Sequence, residues 1–151
     1  MNLSLDHHCQ TILIICGEAM DFDLVTSRLG TKASATVRQG EIYIPTIAEG
    51  QTRLFDPRMS LDHWKKWLQG RKSRQQSLDQ QLEIWVSQLY SARSAFAEFK
   101  ALGYWSVLDC EIWPSRFHYG SVQYRVKAEL LQKVARLGVD INLTVNVSSQ
   151  V

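Results

Sequence analysis

Apolar residues come as an unbroken run near the start of the chain, at three-to-four-residue spacing in its middle, and at every second position near its end. The first pattern, Thr11 to Gly17 (TILIICG), is β-branched and continuous, and predicts a strand buried on both faces. After it, Asp21 is placed to cap a short helix whose stripe is Leu24, Val25 and Leu29, with Gly30 as the terminating residue. Ser34 to Pro45 reads as β-rich stretches on either side of a turn or bulge at Gln39-Gly40, and residues 46–60, with Gly50 and Pro57, read as a surface loop or ragged edge.

The next segment supports two readings. Ser60 could cap a helix carrying Leu61, Trp64 and Leu68 and stopping at Gly70. Alternatively, Lys65 to Arg71 is an edge strand with Trp67 packed inward, its lysines discouraging edge-to-edge pairing. The helix that follows is unambiguous. Ser77 and Gln80 have capping-box spacing, and Leu78, Leu82, Trp85, Val86 and Leu89 fall on one face. Ser91 or Ser94 could restart it for a second piece bearing Phe96, Phe99 and Leu102, ended by Gly103.

From Tyr104 the period changes to two. Leu108, Cys110 and Ile112 point one way, while Val107, Asp109, Glu111 and Trp113 point the other, until Pro114 stops the strand. The stretch RFHYGSVQYRV adds short strand pairing around Gly120. A last helix places Leu130, Leu131, Val134 and Leu137 on one stripe before Gly138, and Val139, Ile141, Leu143, Val145 and Val147 then alternate with polar residues as a half-buried strand. Both end regions carry a helix closing in Arg-Leu-Gly. Helices and strands thus alternate through one domain, residues 1–151. The fold expected is an α/β (α+β) two-layer sandwich, with helices packed on one face of a mixed or antiparallel sheet.

Composition narrows the setting. With 151 residues and 45% hydrophobic content, the chain can bury roughly two thirds of its unfolded surface without disulfide or metal staples. No run reaches the ~18 apolar residues of a membrane span, and MNLSLDHHCQ lacks the features of a secretion signal, so the expected compartment is cytoplasmic. Cys9, Cys16 and Cys110 are odd in number and widely spaced, which suits reduced thiols, with Cys16 and Cys110 expected in the core. The net charge of +2 conceals a contrast. Residues 61–75 hold Lys65, Lys66, Arg71, Lys72 and Arg74 against Asp62 alone, an excess of four, so the remainder sums to minus two.

That basic segment is the one candidate for nucleic-acid contact, with Trp64 or Trp67 stacking on bases and residues 64–74 meeting phosphates. No RNA-binding signature accompanies it, and a solvated loop or edge explains it with fewer assumptions. Asp6, His7, His8 and Cys9 are metal-ligand types, but adjacent side chains without a second cluster do not close a coordination sphere, and no metal is expected. Asp21 and Asp23 could hold a cation, although helix capping already accounts for Asp21. His118, with Asp109 or Glu111 across the sheet, could do acid–base chemistry. No nucleophile motif, phosphate loop or dinucleotide fingerprint occurs, so neither an enzyme nor a cofactor is expected.

Protein recognition remains. Trp105, Trp113, Arg116, Phe117, His118 and Tyr119 are interface-enriched types beside Asp109 and Glu111. If helices cover Leu108, Cys110 and Ile112, the opposite face offers acids and aromatics. The competing reading is that Trp105 and Trp113 fill a second small core.

A resemblance sharpens this expectation. The order of a strand ending at Gly17, a helix ending Leu29-Gly30, Gly40, the segment Trp64 to Leu68, SLDQQLEIWVSQL and ELLQKVARLGVDINLTV resembles the bacterial family catalogued as domain of unknown function 4279, over most of residues 10–147. The resemblance implies a tryptophan-bearing strand before the long helix, favouring the strand reading of Trp67. Ala33 stands where the family pattern has proline. No catalytic residue is carried over. The resemblance also implies a small protein of the kind that acts as the immunity partner of a secreted toxin. The functional expectation is a toxin-neutralising immunity protein that binds a cognate toxin, such as a nuclease domain, stoichiometrically through Asp109, Glu111, Trp113, Arg116 and Tyr119. The alternative is a small nucleic-acid-associated protein.

Overall fold

The first strand is longer than its apolar signal: β1 spans His7–Gly17 and pairs along both edges. The computed structural model describes residues 7–40, 61–68, 76–114 and 125–146. Within them the order is β1, α1 (Phe22–Leu29), β2 (Ala35–Val37), β3 (Asp62–Trp67), α2 (Leu78–Leu89), a 3₁₀ turn (Tyr90–Ala92), α3 (Arg93–Ala101), β4 (Trp105–Pro114), α4 (Ala128–Leu137) and β5 (Asp140–Val145). The five strands form one sheet in the order β2-β3-β1-β4-β5. Three of its pairings are antiparallel and β4–β5 is parallel, so the sheet is mixed. A parallel neighbour requires a crossover connection, which α4 supplies.

Strand alternation decides which side chains meet the helices. Cys9, Leu13 and Ile15 of β1 share a face with Leu108, Cys110 and Ile112 of β4 and with Trp64 of β3, because the register sets Leu13 opposite Leu108 and Ile15 opposite Trp64. All seven belong to one buried cluster with residues of all four helices, including Val25, Trp85, Phe96, Phe99 and Leu137. Helices therefore form one layer on one face of the sheet, as the pattern predicts. Full burial of each of Leu13, Ile15 and Leu108 contributes roughly 1.5–3 kcal/mol relative to exposure.

Local chemistry sets the helix limits. Asp21 caps α1 by accepting the Leu24 N–H at 3.0 Å, and Ser77 with Gln80 closes a reciprocal capping box on α2. Gly30 and Gly138 both end their helices in the left-handed region, at φ 67° and 82°, where a side chain would be strained. Neither Ser91 nor Ser94 caps α3. Its N-cap is Ala92, without a side-chain bond, because the chain arrives already wound in the 3₁₀ turn and Arg93 N–H donates to Tyr90 O.

The ambiguous tryptophan segment is strand β3, with the inward residue exchanged. Trp64 is fully buried against the helices, and Trp67, three positions on, points to the other side and is half-buried. Nor is β3 an edge: it lies between β2 and β1. Leu102 and Leu131 continue helical stripes in sequence but are exposed. Ala33 packs partly buried against the core. The strand expected after Gly40 and the pairing expected around Gly120 lie outside the described residues.

Candidate recognition surface

A buried polar network seats α2 on the sheet. Thr11, on the helix-facing side of β1, donates its hydroxyl to Gln81 Oε1 at 2.8 Å and accepts the indole N–H of Trp85 at 2.7 Å. The Gln81 amide in turn donates to the carbonyls of Cys9 and Gln76. Each of these groups would cost free energy if buried unpaired, so together they fix the helix at one position along β1.

A second network closes the β1–α1 turn. The Asp62 carboxylate accepts from the Met20 N–H at 2.8 Å, the Gln39 N–H at 2.7 Å and the Arg38 guanidinium at 2.7 Å. Arg38 also donates to the Met20 carbonyl and lies over the Phe22 ring. Burial works to raise the Asp62 pKa, but the bonds from Gln39, Arg38 and Met20 and the Arg38 charge together hold it below the ordinary carboxylate range. Next to it, His63 is buried and its pKa is lowered, first by burial and then by the Lys65 charge, against smaller opposing effects of the Leu61 backbone and Asp62.

The sheet face away from the helices carries Val37, His63, Lys65, Cys16, Ile14, Ile12, Val107, Asp109 and Glu111, as the registers require. It is not the open acidic surface that alternation alone suggests. Glu111 is 3% exposed and Lys65 4%, and both have interaction partners. Glu111, expected at an open surface, is instead buried, so its carboxylate is not offered to a visiting molecule. Lys65 and Trp64 are likewise withdrawn from any phosphate or base contact, and Lys66 donates to the Lys32 carbonyl at 3.2 Å. The other cations of the basic segment, Arg71, Lys72 and Arg74, lie outside the described residues.

Among the described residues of this face, one exposed corner lies where β4 begins beside β5. Trp105 is 53% exposed, and its indole N–H donates to the Asp140 carboxylate at 2.5 Å. Two positions on from Val107, the half-buried Asp109 accepts from the Asn142 side-chain amide at 3.1 Å. The parallel register explains both contacts, since it sets Val107 opposite Asp140 and Asp109 opposite Asn142. One indole and two carboxylates are thus held on a single corner. Trp113, near the far end of β4, is half-buried and has a partner. Of the five residues expected to bind a partner, Asp109 lies at this corner, Glu111 is buried and Trp113 is remote from it. Arg116 and Tyr119, like His118, lie outside the described residues. Asp140 and Trp105 enter through the β4–β5 register, a relationship between positions 35 apart that strand periodicity does not reveal.

Cys9, Cys16 and Cys110 are free thiols and all buried. Burial pushes Cys9 up to about 11, and burial with the neighbouring Cys9 and Asp109 charges pushes Cys110 up to about 12. Cys9 faces the helices as part of the buried core. Among the described residues no group of three His, Cys, Asp or Glu side chains could hold a metal ion. A cleft of about 530 Å³ opens between the end of α1, the end of β3 and α2, and Lys66 is the one ionisable side chain among its described lining residues. No described helix is long and apolar enough to cross a membrane.

No curated protein and no solved structure matches the chain. One family model does, over residues 7–148, a span that takes in every described strand and helix. The chain therefore belongs to the family described as Domain of unknown function (DUF4279).

Proposed function

We propose that this chain is a stoichiometric protein-binding module, an immunity protein that neutralises a cognate toxin by direct contact through the β4–β5 corner. The observation that carries the reading is Trp105, a large aromatic side chain more than half exposed and already fixed by its bond to Asp140. An aromatic anchor held in place before binding loses little side-chain entropy on docking, which is why such residues dominate interface energetics. Asp109 and Asp140 beside it give the corner negative charge, the complement of a cationic partner such as a nuclease domain of a secreted toxin. Occlusion needs no catalytic group from this chain.

The test is binding of the full chain to purified cationic toxin domains by titration calorimetry, together with protection of cells expressing the toxin. The Asp109→Ala, Asp140→Ala double variant should bind at least about ten-fold more weakly, with steeper loss at low salt than at high salt, and Trp105→Ala should lose protection. Unchanged affinity in both variants removes this corner from the interaction.

A further inference from the structure

The two edges of the sheet are unequal. On one side, β2 has only three residues, too short to template another strand. On the other, β5 runs six residues, DINLTV, without proline, glycine or lysine, and among the described residues it pairs with β4 alone. Asn146 N–H donates inward to the Ile112 carbonyl, so by the two-residue period the backbone groups of Asn142 and Thr144 also turn towards β4. Those of Ile141, Leu143 and Val145 then turn outward, and among the described residues no hydrogen bond reaches them. The side chains of the same three residues are on the helix-facing side, yet Leu143 is 47% and Val145 38% exposed. Ile141 is the one that packs against the core.

We infer that β5 is the contact by which two copies of this chain pair into a symmetric dimer. The occupant is a second copy because the edge complements itself. Antiparallel pairing about Leu143 sets Leu143 opposite Leu143, Ile141 opposite Val145 and Asn142 opposite Thr144. Every outward donor then meets an outward acceptor of the other copy: Leu143 with Leu143, and Ile141 with Val145 in both directions. Apolar side chains fall opposite apolar ones on one face and polar opposite polar on the other. Asp140 meets Asn146, so no like charges are placed directly across the junction. The product is a continuous ten-stranded sheet whose remaining edges are the short β2 strands. The Trp105–Asp140 corner lies on the opposite face, so this pairing does not depend on the recognition proposed for it.

Sedimentation equilibrium of the full chain should give twice the single-chain mass, and Leu143→Lys, which puts an edge lysine at the two-fold axis, should halve it while leaving the thermal midpoint of the monomer fold in place. Val145→Lys should do the same and serves if the first variant folds poorly. In the wild type, amide exchange at Ile141, Leu143 and Val145 should be as slow as at Asn142 and Thr144, and at least about ten-fold faster at the first three in the variants. A wild-type chain that keeps single-chain mass at millimolar concentration overturns the inference. So does a doubled mass with Ile141, Leu143 and Val145 amides exchanging freely, since the copies would then meet elsewhere.

Discussion

The indole N–H of Trp85 donates to the hydroxyl of Thr11 at 2.7 Å, a buried contact that ties the longest helix to the central strand. Thr11 is also the donor to Gln81, so one hydroxyl serves both helix residues.

Thr11→Val keeps the shape of the side chain and strands two buried polar groups. We expect a loss of about 2 kcal/mol in denaturant unfolding, against less than about 1 kcal/mol for Thr11→Ser, which retains the hydroxyl. Equal losses would mean that packing, not the bond, matters at this position.

Stability should fall on acidification in two stages. His63 has a lowered folded pKa, so below about 6.5 the unfolded chain takes up a proton that the folded chain refuses, and stability declines as pH falls. Asp62 has a lowered folded pKa as well. Its contribution is complete above about 4 and is lost as pH falls through the folded value. Urea midpoints measured across this range should lose the first stage in His63→Gln and the second in Asp62→Asn. At neutral pH, Asp62→Ala should cost about 3 kcal/mol, since it leaves the Met20 and Gln39 amides and Arg38 without their acceptor.

Gly17→Ala should destabilise by about 1–2 kcal/mol despite the higher intrinsic strand preference of alanine. A Cβ at this position would sit 2.7 Å from the Tyr104 ring, which cannot retreat freely because its hydroxyl accepts the Asp21 N–H at 3.1 Å. Thermal melts of Gly17→Ala and of Gly17→Ala with Tyr104→Ala separate the two effects: the clash should vanish in the second background.

The three thiols should be silent towards a disulfide reagent in the native state and react together on unfolding. Burial of all three and the raised pKa values of Cys9 and Cys110 leave almost no thiolate at pH 7. A rapid stoichiometric reaction of one thiol in native buffer would show a cysteine reaching solvent.

Features written in local chemistry are legible in the sequence itself. The Ser77–Gln80 capping box, the Asp21 cap and the two glycine helix ends involve residues no more than four apart, and each stands where the spacing puts it. Sidedness was legible too, since Leu108, Cys110 and Ile112 all face the core. Coverage was not. Alternation puts Glu111 opposite the helix-facing residues but says nothing of what lies over it, and its carboxylate is buried. The same limit applies to Leu131, which is on the correct helical stripe and still reaches solvent. In β3, six residues fit either periodicity; a strand begun at Lys65 leaves Trp64 out, whereas β3 begins three positions earlier and turns Trp64 inward. The Asp62 network joins segments 23 to 42 positions apart and leaves no trace in local spacing.

The position of β1 has a consequence for how the molecule assembles. The earliest-synthesised strand is the middle of the sheet, and its two neighbours are built later: Ile12 must wait for Trp67 on one side and Asp109 on the other. Closing such long loops precedes any reward from the contacts, which slows folding relative to a helical bundle of equal length. Until β4 emerges from the ribosome, an apolar ribbon with an unsatisfied edge is in view of chaperones, and its kinetics rather than its final stability set the hazard of aggregation.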